Sequence, residues 1–173
     1  MHRRIFLCLL LMASLGCWAQ RAAVSTNALY WLTATPNAGI QFRTSRLCSM
    51  QVDVMGRYKP SVAGNSLQFV GFAPELRFWP EQVGLQHFYI GAMAQTAIYN
   101  AHWANGDSHK GGLVAFGPTF GYNWALSPHW NIELSTGVGC IWLRDRKNSN
   151  RHHDTTLYPG PLKVGVNFIY FIK

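Results

Sequence analysis

The sequence predicts an all-β chain: an eight-stranded antiparallel up-and-down β-barrel that spans a membrane. Three observations carry that expectation. Apolar residues recur with period two rather than 3.6 over most of the chain, and no segment offers a convincing amphipathic helix. The two faces of that alternation differ, one bulky and apolar, the other small or polar. Charge is scarce as well: charged residues are 13% of the 173 and aromatics 14%, whereas an ordinary soluble domain carries roughly a quarter charged residues. Low charge with many aromatics excludes a disordered chain. A mean hydropathy near zero excludes a multi-helix membrane protein. The length fits one domain.

Residues 1–19 read as a secretory signal peptide. A basic start at Arg3 and Arg4 precedes an apolar run from Ile5 to Ala13, and the segment closes on Cys17-Trp18-Ala19. The run is shorter than the roughly 20 residues a spanning helix needs. Cleavage after Ala19 leaves residues 20–173 as the barrel domain, and losing Arg3 and Arg4 lowers the net charge from +8 to +6. The alternative is lipidation at Cys17.

The strands follow in order. Segments 22–31 and 37–43 are the shortest. In 50–58, Met50, Val52, Val54 and Tyr58 oppose Gln51, Asp53 and Arg57. In 70–78, Val70, Phe72, Pro74, Leu76 and Phe78 face away from Gly71, Ala73, Glu75 and Arg77. In 86–99, Phe88, Ile90, Ala92, Ala94 and Ile98 oppose His87, Gly91 and Gln95. Residues 113–124 set Val114, Phe116, Pro118, Phe120, Tyr122 and Trp124 against Ala115, Gly117, Thr119, Gly121 and Asn123. Residues 130–142 set Trp130, Ile132, Leu134, Val138 and Trp142 against Asn131, Glu133, Ser135, Gly137 and Gly139. The last segment sets Leu162, Val164, Val166, Phe168, Tyr170 and Ile172 against Lys163, Gly165, Asn167, Ile169 and Phe171. Turn signals stand between them at 44–46, 80–84 and 126–128, with longer polar stretches at 101–112 and 145–158. In the second half short and long connections alternate, which suits an outer-membrane barrel with both termini in the periplasm; the first half fits less well, because the 31–37 connection is short where an external loop could be long.

Face chemistry decides where the lipid lies. Large side chains cannot all fit inside eight strands, so the bulky face is expected outside and the small one inside. Trp31, Trp79, Trp124, Trp130 and Trp142 near strand ends are expected to form interfacial girdles. The competing arrangement is a soluble periplasmic lipocalin-like barrel that binds a ligand. The inward face carries Arg43, Arg57, Arg77 and Lys163 against Asp53, Glu75 and Glu133. Buried charges persist only when paired, so near-balance predicts a polar network that plugs the lumen. The alternative use of these residues is a proton or ion path.

Five motifs carry a family resemblance. They are Thr26-Asn27-Ala28-Leu29-Tyr30 with Thr35-Pro36-Asn37-Ala38-Gly39; Pro74 to Trp79; Gly121 to Ser127; Trp130 and Glu133 with Gly137-Val138-Gly139; and Gly160 to Gly165. In this order, over residues 24–172, the chain resembles a family of small uncharacterised outer-membrane β-barrel proteins of Gram-negative bacteria, a domain of unknown function. The resemblance implies an outer-membrane barrel and brings no catalytic residues. One departure is the end, Phe171-Ile172-Lys173, where barrels commonly finish on an aromatic read by the barrel assembly machinery.

The expected role is therefore non-enzymatic, structural or adhesive through external loops. The enzymatic alternative, lipid A modification by an acyl enzyme, would draw on His102, Asp107, Ser108 and His109 in one loop and His152, His153 and Asp154 in another. Sequence shows neither a base held against a nucleophile nor a Gly-x-Ser-x-Gly elbow. No pair of these histidines has the spacing of a preformed metal site, so no cofactor or metal is expected. The cluster Arg144, Arg146, Lys147 and Arg151 is expected to meet lipopolysaccharide phosphates rather than nucleic acid. Cys48 and Cys140 fall near opposite strand ends, beyond the roughly 7 Å a disulfide spans, and both are expected to be free thiols.

Overall fold

The computed structural model describes residues 22–58, 61–62, 65–81, 85–102, 108–147 and 154–172. The proposed signal peptide with Cys17, and Asp107, Arg151, His152 and His153, lie outside the described residues. Eight long strands run up and down in chain order. They are β1 Ala22–Asn27, β2 Asn37–Arg43, β3 Cys48–Arg57, β4 Asn65–Phe78, β5 His87–His102, β6 Ser108–Ala125, β7 Trp130–Lys147 and β8 Asp154–Ile172. Each pairs antiparallel with the next. β8 returns to β1 from Asn27↔Asn167 to Ala22↔Ile172, which closes the sheet as a barrel. A two-residue strand, Ser61–Val62, pairs with the start of β4. The end bearing Ala22 and Ile172 is called the near end below, and the other the far end.

Odd-numbered residues point inward on every long strand, except in β8 ahead of its bulge, where the even-numbered ones do. In β6 the inward Ala115, Thr119 and Asn123 are buried, while Val114, Phe116, Phe120 and Trp124 are exposed. The period is local, since successive side chains of a pleated strand alternate faces. Leu162 breaks it. A bulge where β8 faces Gly137 and Val138 slips the register by one residue, so Leu162 and Lys163 are both buried. Leu162 was expected outside; the extra residue turns it in.

Three further expectations need correction. The 22–31 strand ends at Asn27, whose side chain accepts from the Leu29 amide and caps a short helix, α1 Ala28–Leu32. The polar stretches 101–112 and 145–158 are largely strand: β5 reaches His102, β6 begins at Ser108, β7 reaches Lys147 and β8 begins at Asp154. Backbone pairing continues past the apolar alternation because ladder hydrogen bonds do not depend on side-chain polarity. Trp79 lies inside, 1% exposed, with Nε1 donating to Ser49 Oγ at 2.9 Å, whereas Trp31, Trp124, Trp130 and Trp142 are exposed. Cys48 and Cys140 are free thiols.

The wall is uneven. β1 and β2 have 6 and 7 residues, against 18 and 19 in β7 and β8. β8 on the far side of Asn167 therefore has no β1 partner, and β3 beyond Met55 has no β2 partner, although the Gly56 amide donates to the Pro36 carbonyl. The unpaired part of β8 carries Pro159 and Pro161, residues suited to a strand edge that need not donate.

Candidate functional site

The inward side chains stack in three layers along the axis. At the near end Trp79, Leu85 and Tyr89 pack together with Phe171 against them. At the far side Met55, Ala73, Met93, Ala115, Ile141 and Leu162 form an apolar layer, joined by Tyr30 from α1. Between them lies an ion cluster.

Arg77 is its centre. Its Nη2 donates to Glu75 Oε2 at 2.8 Å and its Nη1 to Glu133 Oε2 at 2.9 Å, and all three side chains are fully buried. The guanidinium also stacks over the Tyr89 ring, 4.4 Å from its centroid. Lys163 Nζ donates to the same Glu75 oxygen at 2.8 Å and lies 3.8 Å from Asp53 Oδ2. Neutral donors fill the remaining carboxylate positions. Thr119 Oγ1 donates to Glu75 at 2.6 Å, Asn167 Nδ2 to Glu133 at 2.7 Å, and the Tyr89 hydroxyl to Glu133 at 3.2 Å. Gln51 Nε2 donates to both Asp53 oxygens, at 2.8 and 2.9 Å. Three carboxylates thus share two cations in a layer that is largely buried, where each charge needs its partners to offset desolvation.

Of the seven charged residues assigned to the lumen, the structure brings together Asp53, Glu75, Arg77, Glu133 and Lys163. Arg43 is apart at the near-end turn, donating to the carbonyls of Ser45 and Arg46. Arg57 is apart at the far end of β3. The neutral members Gln51, Tyr89, Thr119 and Asn167 were not singled out from sequence. Their signal is inward parity on a strand, which marks a buried polar residue needing a partner.

Small inward residues make room for this cluster. A Cβ on Gly121 would overlap the Tyr89 ring, and one on Gly91 would overlap Thr119 Oγ1. Gly121→Ala is therefore expected to destabilise the fold by about 1–3 kcal/mol through overpacking, read as a lower urea midpoint. Tyr89→Leu in the same chain should relieve part of that loss. A Gly121→Ala protein as stable as its parent would show that the ring is not held.

A cavity of about 20 Å³ between Tyr30, Asp53, Met93 and Lys163 is the space left beside the cluster, about enough for one water. Near the far end, His102 pairs with Ser108 and Ala101 with His109 in the β5–β6 ladder. The side chains of Ser108, Asp154, Arg146 and Lys147 lie outside the described residues, while Arg144 is exposed. Among the described residues no three His, Cys, Asp or Glu side chains are grouped to hold a metal ion.

A family model, DUF3575, described as a protein of unknown function, matches residues 5–172, a span containing all five motifs of the resemblance. None of the curated proteins matches the chain. Among solved structures the chain is similar to Acinetobacter baumannii CarO2, at 12% identity and a TM-score of 0.44 over 88% of this chain and 97% of that one. It is similar also to Acinetobacter baumannii CarO, at 12% identity and a TM-score of 0.42 over 89% of this chain and 96% of that one.

Proposed function

We propose that this chain, which belongs to the DUF3575 family of proteins of unknown function, is a non-enzymatic barrel of the bacterial outer membrane with a structural or surface-interaction role. The observation that carries the reading is the inversion of the two faces. Val70, Phe116, Leu134 and Val138 are each more than half exposed, while Glu75, Arg77 and Glu133 are buried. A water-soluble barrel would bury the first set and hydrate the second. In a bilayer the apolar face meets hydrocarbon, and exposed Trp124, Trp130 and Trp142 border it. The near end, which bears Ala22 and Ile172, is then periplasmic and the far end faces outward.

The lumen is plugged in this reading, and the three stacked layers support it. Folded protein in planar bilayers is expected to pass no porin-sized current steps, and sustained steps of that size would overturn the plug. Unboiled samples in a detergent gel are expected to migrate apart from boiled ones, as intact outer-membrane barrels do; identical migration would count against membrane insertion. At the far end, Arg144, Arg146, Lys147 and Arg151 are the proposed contacts for lipopolysaccharide phosphates, through charge-assisted pairing. The exposure of Arg144 supports that role. The barrel assembly machinery is the proposed partner during insertion.

A further inference from the structure

On the outward face near the far end, side chains stand in two rows, one rung apart. The row nearer the middle is apolar and partly empty: Gly56 pairs with Val70, Val70 with Ile98, and Ile98 with Gly112. The outer row is polar: Gln68 pairs with Asn100, and Asn100 with Lys110. Over Gly56 the missing side chain opens a groove of about 490 Å³, lined by Pro36, Tyr58, Val70, Ile98 and Asn100 among others. Val70 is 58% and Ile98 69% exposed. Arg57 also lines the groove, and its Nε and the Asn100 Oδ1 are buried without a hydrogen-bond partner among the described residues.

We propose that this groove seats one acyl chain of an outer-leaflet lipid whose anionic headgroup rests on the polar row. The proposal rests on the membrane reading above. Depth points to that occupant. Ile98 shares a rung with Gly112, and Gly112 with Arg144, two residues past Trp142, so the groove lies beside the outer aromatic border, where chain meets headgroup. Polarity agrees, because the groove is apolar toward the middle and polar toward the rim, the order of chain and headgroup in a leaflet. Charge agrees too. Lys110 and Arg144 are exposed on this face, Arg144 across the rung from Gly112, and neither pairs with a carboxylate among the described residues. A phosphate would complete both cations.

Glycine at position 56 is what keeps the groove open. A Cβ there would sit 3.5 Å from the Phe69 carbonyl oxygen and 3.9 Å from Val70 Cγ2, ordinary contact distances. A larger residue would therefore fill the groove without straining the wall. The test is native mass spectrometry of the full barrel in dodecyl maltoside, titrated with dioleoyl-phosphatidic acid or dioleoyl-phosphatidylcholine. One phosphatidic acid is expected per barrel, bound about ten-fold more tightly than phosphatidylcholine, the scale of one good charge-assisted contact. Gly56→Phe should weaken both lipids about ten-fold, and Ile98→Trp, at an exposed position, is the second groove-filling variant. Lys110→Gln with Arg144→Gln should abolish the headgroup preference and leave phosphatidylcholine binding unchanged.

Variants that keep the heat-dependent gel shift yet bind lipid like the parent would overturn the groove. So would equal binding of the two lipids by the parent, or a dimer mass that Gly56→Phe removes, which would make a second copy the occupant. A parent protein with no gel shift would instead refute the membrane reading, so the two failures are distinct.

Discussion

Replacing Arg77 by Met is expected to lower the unfolding free energy by about 3–5 kcal/mol, the cost of leaving a buried charge without its partner. Methionine keeps much of the side chain's length but removes the guanidinium that stacks on Tyr89 and is shared by Glu75 and Glu133. The two carboxylates are not left equally exposed to the loss. Glu75 retains Lys163 at 2.8 Å, whereas Glu133 retains, among the described residues, only the neutral donors Tyr89 and Asn167. Adding Glu133→Gln to Arg77→Met should therefore recover most of the stability, because the remaining group is neutral. Adding Glu75→Gln instead should recover little, since it strips Lys163 of its shorter ion pair and leaves Glu133 charged. Urea unfolding in lipid vesicles, followed by gel mobility, gives the four corners of each cycle. A loss below about 1 kcal/mol, within reach of an ordinary exposed pair, would mean the cluster is hydrated and the lumen open.

Leu134→Arg carries the second large effect. Leu134 is 53% exposed and stands two residues from the midpoint between Trp130 and Trp142 on β7. An arginine on the lipid face near the bilayer middle costs about 2–4 kcal/mol. Thr44→Arg, at an exposed near-end turn position whose side chain makes no hydrogen bond among the described residues, should change stability by no more than about 0.5 kcal/mol. A soluble barrel would tolerate both substitutions alike, because each side chain would point into water. The contrast between the two variants, measured in vesicles, reads the location of the apolar band directly. Equal and small effects would return the protein to the soluble class.

Much of the fold is legible because a strand's faces are a local property. The alternation in 113–124 and 130–142 needs no knowledge of neighbouring strands, and it identified inward Thr119, Asn123 and Glu133 as well as outward Phe116 and Leu134. The short helix was less legible. Asn27 followed by Ala28 and Leu29 is an N-cap before good helix formers, yet five residues are too few for a helical period to register against the alternation beside them. Trp79 was misplaced because its position near a strand end fits a girdle as well as a plug. Its odd register, shared with Glu75 and Arg77, was the signal for an inward position.

The amino-acid sequence by itself determined the class of fold and, along most of each strand, which residues face in or out, including Asp53, Glu75, Arg77, Glu133 and Lys163 on the inward side. Those follow from the period of a pleated backbone and from the size of side chains eight strands can enclose. Only the tertiary structure decided which charges meet. Arg77 reaches Glu133 from a strand 56 residues away, and Lys163 reaches Glu75 across 88. Such meetings depend on the register of every pairing around the closed sheet, and on one bulge that turns Leu162 and Lys163 inward together. The groove over Gly56 has the same origin: its rows are drawn from β3, β4, β5 and β6, and no single segment contains it.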